Sequence, residues 1–94
     1  MSKTAIVYLI HFERPFKRAS HYIGSALFLE RRLNHHRAGT GARLLRAVQL
    51  AGIAWEVVRT WPGDKQTERK LKNRKNAPDL CPRCRELRKL AGKQ

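Results

Sequence analysis

Residues 21–37, HYIGSALFLERRLNHHR, constrain the fold of this 94-residue chain more than any other stretch. They begin as a short strand, which Gly24 interrupts because glycine permits a backbone conformation or a close approach that a side chain would block. They continue as a helix whose apolar side chains are Leu27, Phe28, Leu29 and Leu33. A strand that passes directly into a helix brings Tyr22, Arg32 and His36 close together, which predicts a cluster of polar groups at this junction.

The rest of the chain supplies two more strands and three more helices. Strands are predicted at residues 5–11, 20–23 and 53–61, and helices after Ser25, the candidate N-cap, and at residues 42–51, 65 to about 72 and 85–91. Pro15 ends regular pairing between the first two strands, and Asp64 caps the third helix. This order predicts an α+β fold with a small three-stranded sheet, mixed or antiparallel, flanked by helices. Residues 1–76 are expected to form the domain, and residues 77–94 a short basic Cys-x-x-Cys tail that packs on it.

The charge balance points to a polyanionic partner. The chain has 21 Lys and Arg against 7 Asp and Glu, a formal net charge of +14. A protein this basic attracts polyanions, of which nucleic acid is the commonest. The plainer alternative is that the basic residues serve only solubility, although so unequal a balance exceeds what solubility needs.

The N-terminal residues do not have the pattern of a secretory signal. The apolar run at residues 5–10 is too short, and no small-residue cleavage site follows it. The sequence also lacks an apolar stretch long enough to span a bilayer. We therefore expect a cytoplasmic protein without a membrane partner, in which the two cysteines are thiols or metal ligands rather than a disulfide.

Several short motifs occur in a recognisable order. They are Val7-Tyr8, Tyr22-Ile23-Gly24, Leu29-Glu30-Arg31-Arg32-Leu33, His36, Gly39-Thr40-Gly41-Ala42-Arg43, and Trp55-Glu56-Val57-Val58 before a helix carrying Glu68. The ordered set, over residues 4–76, resembles the GIY-YIG endonucleases, above all their small single-domain members and the nuclease domain of structure-specific DNA repair enzymes. The chain departs from the family pattern twice: the first motif lacks its glycine, and the late asparagine of the family has no clear counterpart.

The resemblance implies a role for each matched residue. Tyr8 would be the general base, Tyr22 would position water or phosphate, and Arg32 would clamp the phosphate oxygens. His36, four residues after Arg32, would relay a proton, and Glu68 would hold Mg²⁺ or Mn²⁺. The residues expected to bind the substrate are Gly24, Arg31, Arg43, Arg46 and Lys72.

Each of these residues also has a plainer interpretation. Tyr8 and Tyr22 on neighbouring strands are also typical of a cross-strand aromatic pair. Arg32 is one of many arginines and would by itself be solvated surface. Glu68 has Lys72 four residues later, so it could serve only as half of a helical ion pair.

The motif Cys81-Pro82-Arg83-Cys84 is half of a typical zinc site. His11 lies three residues after Tyr8, and His21 directly precedes Tyr22, so each histidine faces away from the tyrosine of its strand. If both tyrosines line the active face, both histidines share the other face. These four residues, His11, His21, Cys81 and Cys84, are therefore candidate ligands of a structural Zn²⁺. The alternatives are two reduced cysteines in a tight turn, or zinc shared between two chains.

The function that this sequence predicts is a metal-dependent endonuclease that cuts DNA according to its structure rather than its sequence. Nothing in so short a chain provides a sequence-reading module. The alternative is a non-catalytic nucleic-acid-binding protein with the same fold, and a third possibility is a basic protein associated with RNA. We expect a monomer, with a partner protein as an alternative.

Overall fold

The first two strands form a long hairpin that carries most of the candidate site. The computed structural model describes residues 4–75 and 77–91. Its three strands, β1 (Ile6–Phe16), β2 (Ala19–Ala26) and β3 (Trp55–Pro62), form one antiparallel sheet in the order β2-β1-β3. The helices are α1 (Leu29–Arg37), α2 (Arg43–Leu50), α3 (Lys65–Asn73), α4 (Ala77–Leu80) and α5 (Pro82–Ala91). The predicted α+β fold with a small three-stranded sheet is therefore confirmed, and the sheet is antiparallel throughout.

Strand β1 is central because its side chains are apolar on both faces. Residues 7–10 are all buried, as expected for a strand that is covered on both sides. On one side, here called the front face, Tyr8 and Ile10 pack with α1 and α2, and Leu45 and Val48 belong to the same core. On the other side, the back face, the core is formed by Val7, Leu9, Ile23, Leu71 and Cys81. Residues of α3, α4 and α5 cover the back face.

The prediction that Gly24 ends the second strand was wrong. Strand β2 continues through Gly24 to Ala26, and Gly24 pairs with Tyr8 of β1. A Cβ atom at Gly24 would lie 2.6 Å from the Tyr8 hydroxyl and 2.8 Å from the Tyr22 ring. The glycine is thus needed for the close approach of two rings rather than for a turn.

The start of the first helix was also predicted too early. Helix α1 begins at Leu29 with Phe28 at the N-cap position and no side-chain cap, so Ser25 is not its cap. Leu27 and Phe28 precede the helix and are about half exposed. The cause is the longer strand, which carries the chain past the sheet before the helix can begin.

Other boundaries shift in the same way. Strand β1 runs on through Pro15, although the register with β2 is irregular between His11 and Phe16, where proline removes a donor. A short helix that was not predicted, α4, precedes the tail helix, and α5 begins at Pro82 rather than at residue 85, since proline suits the first helical position. The prediction for Asp64 is confirmed, since its carboxylate accepts hydrogen bonds from the backbone N–H groups of Gln66 and Thr67.

Candidate active site and metal-ligand cluster

A buried hydrogen bond joins the first strand to the first helix. The Tyr8 hydroxyl lies 2.7 Å from Nε2 of His36, and both side chains are almost completely buried. The backbone N–H of Ala42 points at Nδ1 of His36 over a long 3.4 Å, so Nδ1 is the acceptor and the proton of the neutral ring is assigned to Nε2. In this tautomer His36 donates to Tyr8, which leaves the phenolic proton of Tyr8 for another partner.

Gly41 is required by the position of His36. A Cβ atom at Gly41 would lie 2.9 Å from Cε1 of His36 and would overlap Nδ1. The Trp55 ring closes another side of the imidazole, edge-on at 6.3 Å between centroids. Gly39, two residues earlier, ends helix α1 with its φ of 78°. The Gly-Thr-Gly motif is visible in the sequence, but the sequence does not show that the His36 ring lies against its second glycine.

Tyr22 connects the buried pair with the surface. Its ring centroid lies 6.1 Å from that of Tyr8 and 5.6 Å from that of His36. The Tyr22 hydroxyl is close enough to that of Tyr8 to influence its protonation. Burial and the neighbouring Tyr22 raise the pKa of Tyr8 well above its usual value, while the charge of Arg32 opposes the shift. Burial and the same arginine lower the pKa of His36, which keeps its ring neutral at physiological pH.

A cationic groove of about 780 Å³ lies over these three rings. Tyr22 lines it, together with Arg31 and Arg32 of α1 and Lys65 of α3. Tyr8 and His36 lie beneath it and do not reach its surface. Of the two tyrosines, Tyr22 is therefore the one that a substrate in the groove can contact.

Glu68 does not line this groove itself but lies close to Ser25, which does. Its carboxylate is hydrogen-bonded to Ser25, which lines the groove, and forms an ion pair with Lys72 at 3.0 Å. Burial alone would raise the pKa of Glu68, but these two partners outweigh it and hold the pKa below its usual value. The ammonium of Lys72 also lies 5.8 Å from the centre of the Tyr22 ring. Ser25 was missed as a site residue because the sequence placed it at a helix start.

The donor set at Glu68 fits a magnesium ion. Mg²⁺ is commonly held by one or two carboxylates together with water and substrate phosphates. One ionised carboxylate beside an open groove meets this requirement, provided that Lys72 gives up the carboxylate oxygen that it now contacts.

The five residues expected to bind the substrate are not all in one place. Arg31 lines the groove, Lys72 is paired with Glu68, and Gly24 is buried beneath the tyrosines. Arg43 and Arg46 lie exposed on α2, and neither lines the groove. Arg46 instead lines a separate hollow of about 490 Å³.

The four predicted zinc ligands lie together on the back face. His11 and His21 are direct partners in the register of β1 and β2. The structure brings them together with Cys81 and Cys84, so that the ligand atoms of all four lie within 4.8 Å of one another. Burial lowers the pKa of both histidines. Cys81 is completely buried, and the other three side chains are partly buried.

The antiparallel sheet with its flanking helices is the fold expected of the GIY-YIG class that the sequence resembles. A family model, the GIY-YIG catalytic domain, matches residues 4–80. The chain therefore belongs to the GIY-YIG family, whose domains are typically those of metal-dependent nucleases acting on nucleic acid. Comparisons with curated proteins and with solved structures gave no match. Every helix within residues 4–75 and 77–91 is too short or too polar to cross a membrane.

Proposed function

We propose that this protein is a metal-dependent endonuclease that hydrolyses phosphodiester bonds in DNA. The observation that carries the proposal is the hydrogen-bonded Tyr8–His36 pair beneath an arginine-lined groove that has an ionised glutamate close to Ser25 of its lining. Hydrolysis needs a base for the attacking water, positive charge at the phosphate and a fixed alignment of the two. This groove offers all three.

Arg31 and Arg32 bind the non-bridging phosphate oxygens, since a guanidinium group matches the geometry of two such oxygens. This contact places the scissile phosphate above Tyr22. Glu68 would hold Mg²⁺ or Mn²⁺, which would supply further positive charge to stabilise the phosphate during hydrolysis. The positive charge of the whole chain, +14, adds attraction for DNA at a distance.

Tyr8 acts as the base through Tyr22. The phenolate form of Tyr8 is stabilised by the N–H of His36 and by the charge of Arg32. Tyr8 takes the proton of the Tyr22 hydroxyl, and Tyr22 takes a proton from the attacking water. The hydroxide oxygen bonds to phosphorus, the bond to the leaving oxygen breaks, and that oxygen is protonated by solvent. His36 holds the Tyr8 oxygen in place throughout.

The chemistry of the groove supports recognition of DNA structure rather than sequence. Its polar lining consists mainly of guanidinium, ammonium and hydroxyl groups, which suit phosphate contacts. Phosphate contacts carry no direct information about sequence. A branched or distorted duplex bends its backbone into an open groove more readily than a regular one, which favours such substrates.

One observation favours a second candidate, a non-catalytic nucleic-acid-binding protein. Lys72 contacts the Glu68 carboxylate at 3.0 Å, and this ion pair occupies the group on which metal binding depends. If the pair persists when DNA binds, the groove holds phosphate without cutting it.

The test is cleavage of labelled duplex, flap and four-way-junction DNA with Mg²⁺, comparing wild type with Glu68→Gln. We expect Glu68→Gln to lower cleavage about a hundredfold or more while leaving DNA binding within a few fold. The matched control is Glu86→Gln, which changes an exposed glutamate on α5 and should cut like wild type. Tight binding without cutting by any of the three proteins would reject the nuclease and favour the binding protein.

A further inference from the structure

We propose that His11, His21, Cys81 and Cys84 bind one Zn²⁺ in a closed tetrahedral site that fastens α5 to the hairpin of β1 and β2. This inference does not rest on the proposed nuclease activity, because the cluster lies on the back face of the sheet and the groove on the front.

The distances between the ligand atoms carry the proposal. Typical bonds from zinc are about 2.0–2.1 Å to nitrogen and about 2.3 Å to sulfur, so a regular tetrahedron has edges of about 3.3 Å between two nitrogens and about 3.6 Å between nitrogen and sulfur. The observed distance from Nδ1 of His11 to Nε2 of His21 is 3.3 Å. The nitrogen–sulfur distances are 3.4 Å for His11–Cys81, 3.6 Å for His11–Cys84 and 3.3 Å for His21–Cys84.

Four of the six edges thus agree with the tetrahedron to within about 0.3 Å, and the other two are no longer than 4.8 Å. Direct hydrogen bonding explains them less well, since N–H hydrogen bonds between ring nitrogens are usually near 2.9–3.0 Å and a thiol is a weak donor. Four side chains from three elements point their donor atoms at one another, which is the arrangement that an ion between them would require.

The donor set selects zinc among the common metals. Two thiolates and two imidazoles in a tetrahedron suit Zn²⁺, whereas Mg²⁺ requires oxygen ligands. Two thiolates also neutralise the two charges of the ion, so the complete site can lie beside the fully buried Cys81 without an unpaired charge. Because the protein supplies all four ligands, no position stays open for water, and the site is structural rather than catalytic.

The fold explains how these residues meet. His11 and His21 are cross-strand partners, so their side chains emerge from the same face side by side. Cys81 precedes α5 and Cys84 lies in its first turn, so one helical turn brings both sulfur atoms to the same side. The ion thus joins segments whose contacting ligands are 63 to 73 residues apart in the chain.

Without a metal, α5 is weakly attached to the sheet. The ion pair that links α5 to β3, Arg83 with Glu56 at 3.4 Å, has both partners more than half exposed, and such pairs contribute little. A domain of this size commonly needs a bound metal ion or another cross-link to be stable, because its hydrophobic core is small. The ion also fixes the register of β1 and β2, and a slip by one residue would turn Tyr22 from the front face to the back.

The first measurement is the metal content of protein purified without chelator. We expect one equivalent of zinc per chain, and after replacement by Co²⁺ the visible absorption bands of a tetrahedral site with thiolate ligands. Cys84→Ser and His21→Gln should each lose the zinc or bind it at least tenfold more weakly. The matched control is His35→Gln, which changes an exposed histidine outside the cluster and should keep one equivalent.

The second measurement is thermal unfolding with and without a strong chelator. Chelation should lower the melting temperature of wild type by roughly 10 °C or more and should not change that of Cys84→Ser. If Cys84→Ser does not fold, competition with a coloured chelator gives the zinc affinity of wild type and His21→Gln directly.

Three results would overturn the proposal. They are metal-free protein that also fails to take up Zn²⁺ or Co²⁺, a Cys81–Cys84 disulfide in protein purified under reducing conditions, and unchanged zinc binding by His21→Gln. Loss of nuclease activity is not among them. A zinc-loaded protein that cuts no DNA would reject the proposed function and leave the zinc site standing.

Discussion

Replacing Gly41 by alanine tests whether the backbone at this position holds the His36 ring against Tyr8. Gly41 is not among the glycines with positive φ, so alanine is compatible with its backbone conformation. The added Cβ would lie 2.9 Å from Cε1 of His36 and closer still to Nδ1. Non-bonded carbon atoms prefer about 3.5–4.0 Å, so the ring must move by about 1 Å.

Such a movement has two costs. The ring could no longer keep the position in which Nε2 makes its 2.7 Å hydrogen bond to Tyr8, so that bond would be distorted or lost. Overpacking of a core typically costs about 1–3 kcal/mol, and loss of a buried hydrogen bond adds about 1 kcal/mol. We therefore expect Gly41→Ala to lower the free energy of unfolding by about 2–4 kcal/mol.

A double-mutant cycle separates the ring from other causes. In a His36→Ala background the clash is absent, and Gly41→Ala should then be neutral or stabilising by about 0.4–1 kcal/mol, because alanine restricts the unfolded chain. Gly39→Ala is the matched control. Gly39 has a φ of 78°, and a Cβ atom added there would lie no closer than 3.9 Å to another residue, so it would not clash. It should cost about 1–2 kcal/mol in both backgrounds. The assay is urea unfolding followed by circular dichroism.

The result that would refute this reasoning is an equal cost of Gly41→Ala with and without His36. The loss of stability would then come from the backbone, and the close approach of Gly41 to the His36 ring would not contribute to it. A stable Gly41→Ala protein with full cleavage activity would also contradict the role proposed for the Tyr8–His36 hydrogen bond.

Two further expectations concern pH and helix capping. Because the pKa of Tyr8 is raised by burial and by Tyr22, its phenolate is a minority form that grows about tenfold per pH unit. Single-turnover cleavage should therefore rise steadily from about pH 6 to 9, whereas a plateau that begins below about pH 7.5 would exclude Tyr8 as the base. Asp64→Ala removes the N-cap of α3 and should lower the free energy of unfolding by about 1 kcal/mol in urea titrations. Asp79→Ala, which breaks an exposed ion pair with Arg88, should lower the free energy of unfolding by less than about 0.5 kcal/mol. If both variants lose the same free energy, the Asp64 cap stabilises the fold no more than an exposed ion pair does.

Local patterns determined a large part of the architecture. The residue types at 5–11 predicted the first strand, and the alternation along each strand put His11 and His21 on one face. Asp64 was identified as a cap from its position before a helix. These predictions succeeded because the direction of a side chain from a regular backbone depends only on its own segment.

Packing between segments was beyond the reach of the sequence. Gly24 was interpreted as a break in the strand and Gly41 only as part of a motif, because the rings that require them, those of Tyr8 and His36, come from elsewhere in the chain. The tertiary structure likewise decided that Arg46 lies away from the groove and Arg31 within it.

The sequence by itself therefore determined which elements form, which faces their side chains occupy and which family the chain resembles. Only the tertiary structure decided that Tyr8 is enclosed while Tyr22 reaches the groove, and that the ligand atoms of the four predicted cysteines and histidines, up to 73 residues apart, lie within 4.8 Å of one another. The physical reason is that hydrophobic periodicity is a property of one segment. The burial of a side chain, the contacts between side chains and the distances between ligand atoms depend on how several segments pack against each other.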